Sequence, residues 1–463
     1  MLARRLGDPT DELRRRWMNG RMPNGPDDLV IDRSDLEDVS FMVVGDPGEG
    51  DDSQNVTIRP LLACSEGTAF MVICSDVIYP AGGASEYEQK FYEPYKDYLA
   101  PIYALPGNHD WYDGLTGFML HFCGAEPPLT GETPPPAAGR AHRLLNRLLW
   151  RRPPRADPGT LARGREIRGR PEQHPLPEHR QPGPYWAMDV GPLRIVAIDT
   201  GITGSVDRDQ LAWLRAVSES SDRPKVLLTG RPLYVDGRGP NRNGHLAAVD
   251  AVVRAREHRY VAAIGGDVHN YQRYPVEVEP GRTIEYVVSG AGGAYMSATH
   301  GISRVDLEGV TEQDFRCYPL RGDSLSAYSK VYDRRLAGGR GVFFIPADEA
   351  AAIVSEQLRR ETPASNERPE LEPWRSSARA VSPTERSRRA ARLIGWLPGQ
   401  RGYNPWLAEL LDWNDPPLFK SFLRLDASNT ELRIRCFAAT GCGEHEQDPP
   451  LEDQVIVQLP TSI

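Results

Sequence analysis

Residues 102–110 read Ile-Tyr-Ala-Leu-Pro-Gly-Asn-His-Asp. Four apolar residues run into a turn and then into three side chains able to bind a metal or carry a proton. A short apolar run bounded by turn residues predicts a strand buried on both faces. Outward along the chain the same grammar recurs. Phe41–Val44 precedes Gly-Asp-Pro-Gly-Glu-Gly (45–50), and Ala69–Cys74 precedes Ser-Asp-Val-Ile-Tyr-Pro (75–80). Leu193–Ile198 precedes Asp199 and Thr200, Lys225–Leu228 precedes Thr-Gly-Arg-Pro-Leu-Tyr (229–234), and Tyr260–Ile264 precedes Gly-Gly-Asp-Val-His-Asn (265–270). Ile284–Val288 precedes a run of small residues that ends at Tyr295. Polar residues gathered just beyond strand ends predict a site at one edge of a sheet. Helical spacing fills gaps between the runs, as in Asp207–Ser218, where Leu211, Leu214 and Val217 share a face behind an Asp cap. Strands and helices alternate, so the fold class is α/β.

Two stretches break the grammar. Residues 126–184 combine proline density with an arginine block from Arg140 to Arg170, which forbids regular structure over much of the length and reads as a surface insertion with one helix near Ala141–Trp150. Residues 316–415 read as a helical insertion, with pieces at Asp348–Arg360, Thr384–Leu393 and Pro405–Leu411. Strand-like alternation then returns in Phe419–Leu425, Glu431–Ala438 and Gln454–Leu459. The expected organisation is an extension over 1–37, a core over 38–315, the helical insertion, and strands over 416–463 that complete the core.

The chain has 463 residues and a net charge of -9, a balance that argues against nucleic acid or an anionic membrane as the default partner. The expected partner is a small phosphorylated molecule, for reasons that follow. The N-terminus lacks the apolar stretch of a secretory signal, no window approaches the length of a membrane span, and the expectation is a cytoplasmic protein. Six scattered cysteines without a CxxC pair read as reduced packing residues.

Hydrolysing a phosphate ester requires shielding of phosphoryl charge, a nucleophile made from water, and a proton for the leaving group. Two metal ions sharing a carboxylate supply the first two, and they need hard oxygen ligands and imidazoles drawn from several strands. The strand ends offer that set. Gly45-Asp46-Pro47-Gly48, Ser75-Asp76-Val77-Ile78-Tyr79, Gly107-Asn108-His109-Asp110 and Gly266-Asp267-Val268-His269, in this order and spacing, resemble the calcineurin-like metallophosphoesterase family, with a lean toward its purple acid phosphatase branch. The resemblance covers roughly residues 38–310. It implies a four-layer α/β/β/α sandwich of two mixed sheets with surface insertions, and attack on phosphorus by a metal-bound hydroxide. It further implies that Asp46 and His269 bind one metal, that Asp76 bridges two, and that Asn108 binds the second. Tyr79 stands where purple acid phosphatases place a tyrosine ligand to ferric iron. His109 takes the place of the leaving-group acid or of a phosphate donor, with Asp110 as its candidate orienting partner. The implied cofactors are two divalent or trivalent ions, manganese, iron or zinc.

The chain departs from the family pattern twice. Gly230 stands where a histidine is usual, followed by Arg231, and Asp267 replaces the first histidine of the last block. Both changes fall on the second metal. Asp267 still ligates as a harder donor, so the second site is expected to be weak or oxygen-rich, or to have its charge partly replaced by Arg231 acting as a phosphate clamp. The competing reading is a catalytically weak protein that binds a phosphorylated ligand on the same fold. His300, His245 and His258 read as structural.

Overall fold

The computed structural model describes residues 9–125, 162–163, 166–167, 180–241, 244–360, 381–395, 418–443 and 447–460. The expected helices near Ala141–Trp150 and at Pro405–Leu411 fall outside these residues. Within them the chain forms two mixed sheets packed face to face, with helices on both outer surfaces.

The smaller sheet is built on β2 (Val39–Val44), β3 (Phe70–Cys74) and β4 (Ile102–Leu105), all parallel. It is completed by β14 (Lys420–Ala427), β15 (Glu431–Ala439) and β16 (Leu451–Gln458), which join antiparallel in the order β16-β15-β14-β2-β3-β4. The larger sheet contains β1 (Val30–Arg33), β5 (Trp186–Val190), β6 (Leu193–Ile198), β7 (Lys225–Thr229), β8 (Tyr260–Gly265), β9 (Tyr271–Glu279), β10 (Arg282–Ser289) and β13 (Arg316–Tyr318). Their order is β1-β5-β6-β7-β8-β10-β9-β13, with β6, β7, β8 and β10 parallel. A separate ribbon pairs β11 (Asp306–Leu307) with β12 (Val310–Thr311). Residues 30–33, which the sequence sets apart in an N-terminal extension, thus form an edge strand of the larger sheet.

Although β3 and β4 are apolar throughout and β2 nearly so, their side chains still divide by twos between faces. Val39, Phe41 and Val43 of β2, with Phe70, Val72 and Cys74 of β3, fill the core between the sheets against Trp186, Met188, Ile195 and Leu228. Met42, Val44, Met71 and Ile73 point the other way, under α2 (Asp52–Cys64) and α3 (Thr116–Cys123). On the far side, α4 (Arg208–Glu219) and α5 (His245–Arg254) cover the larger sheet through Trp213, Leu214, Val249 and Val253. The four layers are helix, sheet, sheet, helix. Fully burying one such Phe or Leu side chain stabilises by about 1.5–3 kcal/mol, so continuous apolar strands are what a doubly covered sheet requires.

The N-terminal helix α1 (Thr10–Met18) docks through Arg14, whose guanidinium is buried among Asp199, Asp207 and Asp11 at 2.7, 2.9 and 3.1 Å. Three helices, α6 (Arg321–Ala337), α7 (Ala347–Arg360) and α8 (Glu385–Ile394), form a separate small core between β13 and β14. The sequence expectation covers α7 and α8; α6 is an addition to it. No helix among the described residues is long and apolar enough to cross a membrane.

Candidate metal centre

The C-terminal ends of β2, β3, β4, β7 and β8 open onto one edge where the two sheets meet. Asp46, Asp76 and Asp267 each stand two residues beyond their strand. All three have left-handed backbones, with φ of 55°, 36° and 65°. Asp tolerates that region better than most residues, yet it still costs energy, and such strain concentrates where a side chain must be aimed. The turns can pack this closely because the backbone is bare at Gly266. A Cβ there would lie 2.2 Å from the Cys74 carbonyl oxygen and 2.7 Å from Asp46 Oδ2. In return, Asp267 N–H donates to Asp46 Oδ2 at 2.8 Å.

Side chains from three turns converge on the Tyr79 phenol. Its oxygen lies 3.3 Å from Asp46 Oδ1, 3.0 Å from Asp76 Oδ2 and 3.1 Å from His269 Nε2. One phenol proton cannot serve both carboxylates, so the cluster as it stands is short of positive charge. Asp46 and Asp76 are sealed from solvent, at 0% and 1% exposure. Among the described residues the nearest basic group to Asp46 is the His269 ring at 3.9 Å. Burial, and after it the charges of Asp76 and Asp267, push the Asp46 carboxyl well above the ordinary carboxylate range. Burial, and after it the charges of Asp76 and Asp46, raise the Tyr79 phenol, and burial drives the His269 imidazole toward its neutral form. His269 Nδ1 is buried without a hydrogen-bond partner among the described residues.

Two unpaired buried carboxylates cost several kcal/mol each by rough reckoning, and a cation among them offsets that cost. Hard oxygen donors with a neutral imidazole make a ligand set for manganese, iron or zinc. The residues at this first position therefore fit a metal ion. Among the described residues no group of three or more His, Cys, Asp and Glu forms a candidate metal cluster by itself; the convergence runs through the Tyr79 oxygen.

The next turn carries Asn108 and His109. The backbone N–H of His109 donates to Asp76 Oδ1 at 2.7 Å, and Asn108 Nδ2 donates to the Tyr112 hydroxyl at 3.2 Å. His109 Nδ1 lies 2.8 Å from the Pro80 carbonyl oxygen, which can only accept, so Nδ1 holds the proton and Nε2 is the atom left for exchange. Asp110 does not orient this ring. Its carboxylate accepts backbone N–H groups of Val77, Gly107 and Ile78 at 2.9, 3.0 and 3.2 Å. It ties the Asp76 turn to the Asn108 turn, because a buried carboxylate takes the nearest unpaired N–H donors. Arg231 Nη2 lies 3.3 Å from Asp267 Oδ1. The pair is partly open to solvent.

Several supporting groups carry no clear sequence signal. Tyr295 packs its ring edge-on against His269 at 4.4 Å, and Ser297 Oγ accepts the His269 N–H at 3.2 Å. Lys420, on β14, donates to the carbonyl of Ala294 in the same loop. Asp199, at the end of β6, accepts from Trp111 Nε1 at 3.0 Å as well as from Arg14; its place at a strand end was the one available hint. His300, His245 and His258 are engaged by Ser324, Val206 and Val252, and Asp51 caps α2 by accepting from Ser53 N.

Comparison with known proteins supplies a family. The family model described as calcineurin-like phosphoesterase matches residues 39–271, half of the chain. No curated protein sequence matches. Among solved structures, GAP50, the anchor in the inner membrane complex of Plasmodium, aligns with a TM-score of 0.44 at 10% identity, covering 92% of this chain and 90% of that one. A purple acid phosphatase from yellow lupin seeds aligns at 0.41 and 11% identity, covering 92% of this chain and 55% of that one. A dimetal phosphatase from Danio rerio aligns at 0.36 and 12% identity, covering 60% and 98%.

Proposed function

The chain belongs to the calcineurin-like phosphoesterases, and on that premise we propose that it hydrolyses a phosphate ester of a small molecule with a metal ion held by Asp46, Asp76, Tyr79 and His269. The observation that carries the reading is the pair of sealed carboxylates, Asp46 and Asp76, which meet no Lys or Arg among the described residues. A structural Asp at a turn needs no such isolation. When bound, a metal of this kind polarises phosphoryl oxygens and makes water a better nucleophile.

The chain's own residues do the rest. Asp76, pinned by the His109 N–H on one oxygen and by the Tyr79 phenol on the other, is fixed as the central anion. Asn108, in the turn that meets the other oxygen of Asp76, offers an amide oxygen as a hard donor. His109, with its ring set by the Pro80 carbonyl, carries a proton on Nε2 to the departing alkoxide. The Arg231 guanidinium binds non-bridging phosphate oxygens through its planar fork. Together these groups neutralise the phosphoryl charge, orient it and protonate the leaving group.

The test is hydrolysis of bis(p-nitrophenyl) phosphate and p-nitrophenyl phosphate by the manganese-loaded chain, against Asp76→Ala as background. Turnover of either ester, lost in the variant, is the expected result. Equal rates in the two proteins, with metal bound to the wild type, would transfer the site to a second reading, a catalytically weak protein that binds a phosphorylated ligand. Gly230 and the Arg231–Asp267 pair are the observations that favour that reading.

A further inference from the structure

We propose that the centre is built for one tightly held metal ion and that the Arg231 guanidinium takes the place of a second, an inference that rests on the phosphoesterase reading above. The donors divide unevenly around Asp76. On the Asp46 side stand Asp46, Tyr79 and His269, converging without a cation. On the opposite side the donors are fewer: the neutral amide oxygen of Asn108 and an Asp267 carboxylate already paired with Arg231.

The end of β7 brings Gly230, which offers no side chain and leaves no room for one. A Cβ there would sit 2.8 Å from Thr200 Oγ1 and 3.0 Å from the Pro106 carbonyl oxygen, so the backbone is used to pack against the turn that carries Asn108. The next residue, Arg231, reaches the carboxylate of Asp267. The Asn108 amide is steadied by Tyr112, and Asp76 Oδ1 accepts the His109 N–H.

A dication on Asp267 would have to lie within a few ångströms of a guanidinium that cannot shed its proton, and like charges at that range repel strongly in a partly buried site. Arg231 and a second metal therefore compete for one carboxylate. The guanidinium carries half the charge of a divalent ion, but it adds a planar pair of donors matched to two phosphate oxygens. Arg231 Nε has no hydrogen-bond partner among the described residues, so Asp267 alone does not satisfy the group. The expected arrangement holds the phosphoryl group between one metal and one arginine, with Asp267 keeping that arginine in place until substrate arrives.

Metal content separates the outcomes. The full-length chain is loaded with excess Mn²⁺, desalted, and measured for manganese per chain and for its electron paramagnetic resonance. Binding of inorganic phosphate is followed by calorimetry. We expect one Mn²⁺ per chain with the spectrum of an isolated ion. Asp46→Asn should lose it, whereas Asp267→Asn should retain it. Arg231→Met should leave manganese content unchanged and weaken phosphate binding by about tenfold to a hundredfold, the usual effect of removing a charged hydrogen bond. Two Mn²⁺ per chain with a spin-coupled spectrum would overturn the inference while leaving the phosphoesterase reading intact. Loss of manganese in Asp267→Asn would overturn it equally. A wild-type chain that retains no manganese would remove the metal-centre reading itself, and the inference with it.

Discussion

His109 shows how much of the chemistry here is set by backbone atoms. Its N–H is committed to Asp76 and its Nδ1–H to Pro80, so one ring nitrogen remains and its direction is fixed. His109→Gln is expected to lower kcat on an alkyl phosphate by roughly 10²–10⁴-fold, the range for loss of a general acid, with manganese content unchanged. On a p-nitrophenyl ester, whose leaving group departs without a proton, the loss should be much smaller. Equal losses on both esters in steady-state assays would take His109 out of proton delivery. Asp110, next in sequence, has a different task, and its neighbour's chemistry gives no hint of that. A carboxylate beside a histidine invites an orienting role, but three backbone N–H groups lie closer to hand. The aspartates at positions 46, 76 and 267 share a left-handed backbone, which propensity alone would assign to glycine or asparagine. At these turns the carboxylate is needed strongly enough to outweigh that preference.

Among the elements, those that position the site are the ones that local sequence describes best. β2, β3, β4, β6, β7 and β8 are largely apolar runs that stop at a turn-forming residue, Gly45, Ser75, Pro106, Asp199, Gly230 and Gly266 in turn, because a parallel strand covered on both faces admits little else. β9 escapes that reading because it carries Gln272 and Arg273 into the interior, where Arg273 pairs with Asp453 at 2.6 Å and with Glu285 at 3.2 Å. β5 hides for a similar reason: Asp189 is matched to Arg194 on the neighbouring strand at 2.6 Å. Polar strand residues paired across the sheet break the apolar pattern, and their partners are invisible to a local window. The same limit applies at the site. Spacing places Asp46, Asp76, Asn108 and His269 at strand ends, whereas the Arg231–Asp267 pair depends on two turns meeting in space. Gly266 is the element-scale hinge of that meeting. Gly266→Ala should destabilise the chain by about 1–3 kcal/mol through overpacking and should weaken manganese binding as well, because the intruding methyl presses on Asp46 Oδ2. Urea denaturation of the metal-free protein separates the two effects, and an unchanged midpoint would show that the β3 and β8 turns are not in tight contact.

At the level of the whole molecule, the site is tied to both remote ends of the described chain. Arg14 on α1 holds Asp199, and Asp199 holds Trp111, three residues beyond Asn108. Arg14→Met would leave Asp199 and Asp207 buried without a cation, at a cost of about 3–5 kcal/mol, read as a lowered urea midpoint. Activity should fall further than manganese content does, since the Asn108 turn loses its outer support while the Asp46 side keeps its own. From the other end, β14 enters the middle of the smaller sheet beside β2, and the Ser40 hydroxyl reaches Asp426 across a separation of 386 positions. Synthesis runs in one direction. At about 5–20 residues per second, that stretch takes on the order of 20–80 s to make. Throughout that time β2 has a partner on one side only, and its open edge is a hazard for mispairing with another nascent chain. Asp46 and Asp76 are translated early, but the sheet that aims them closes only when β14 arrives, so the ribosome delivers the chemistry first and its frame last.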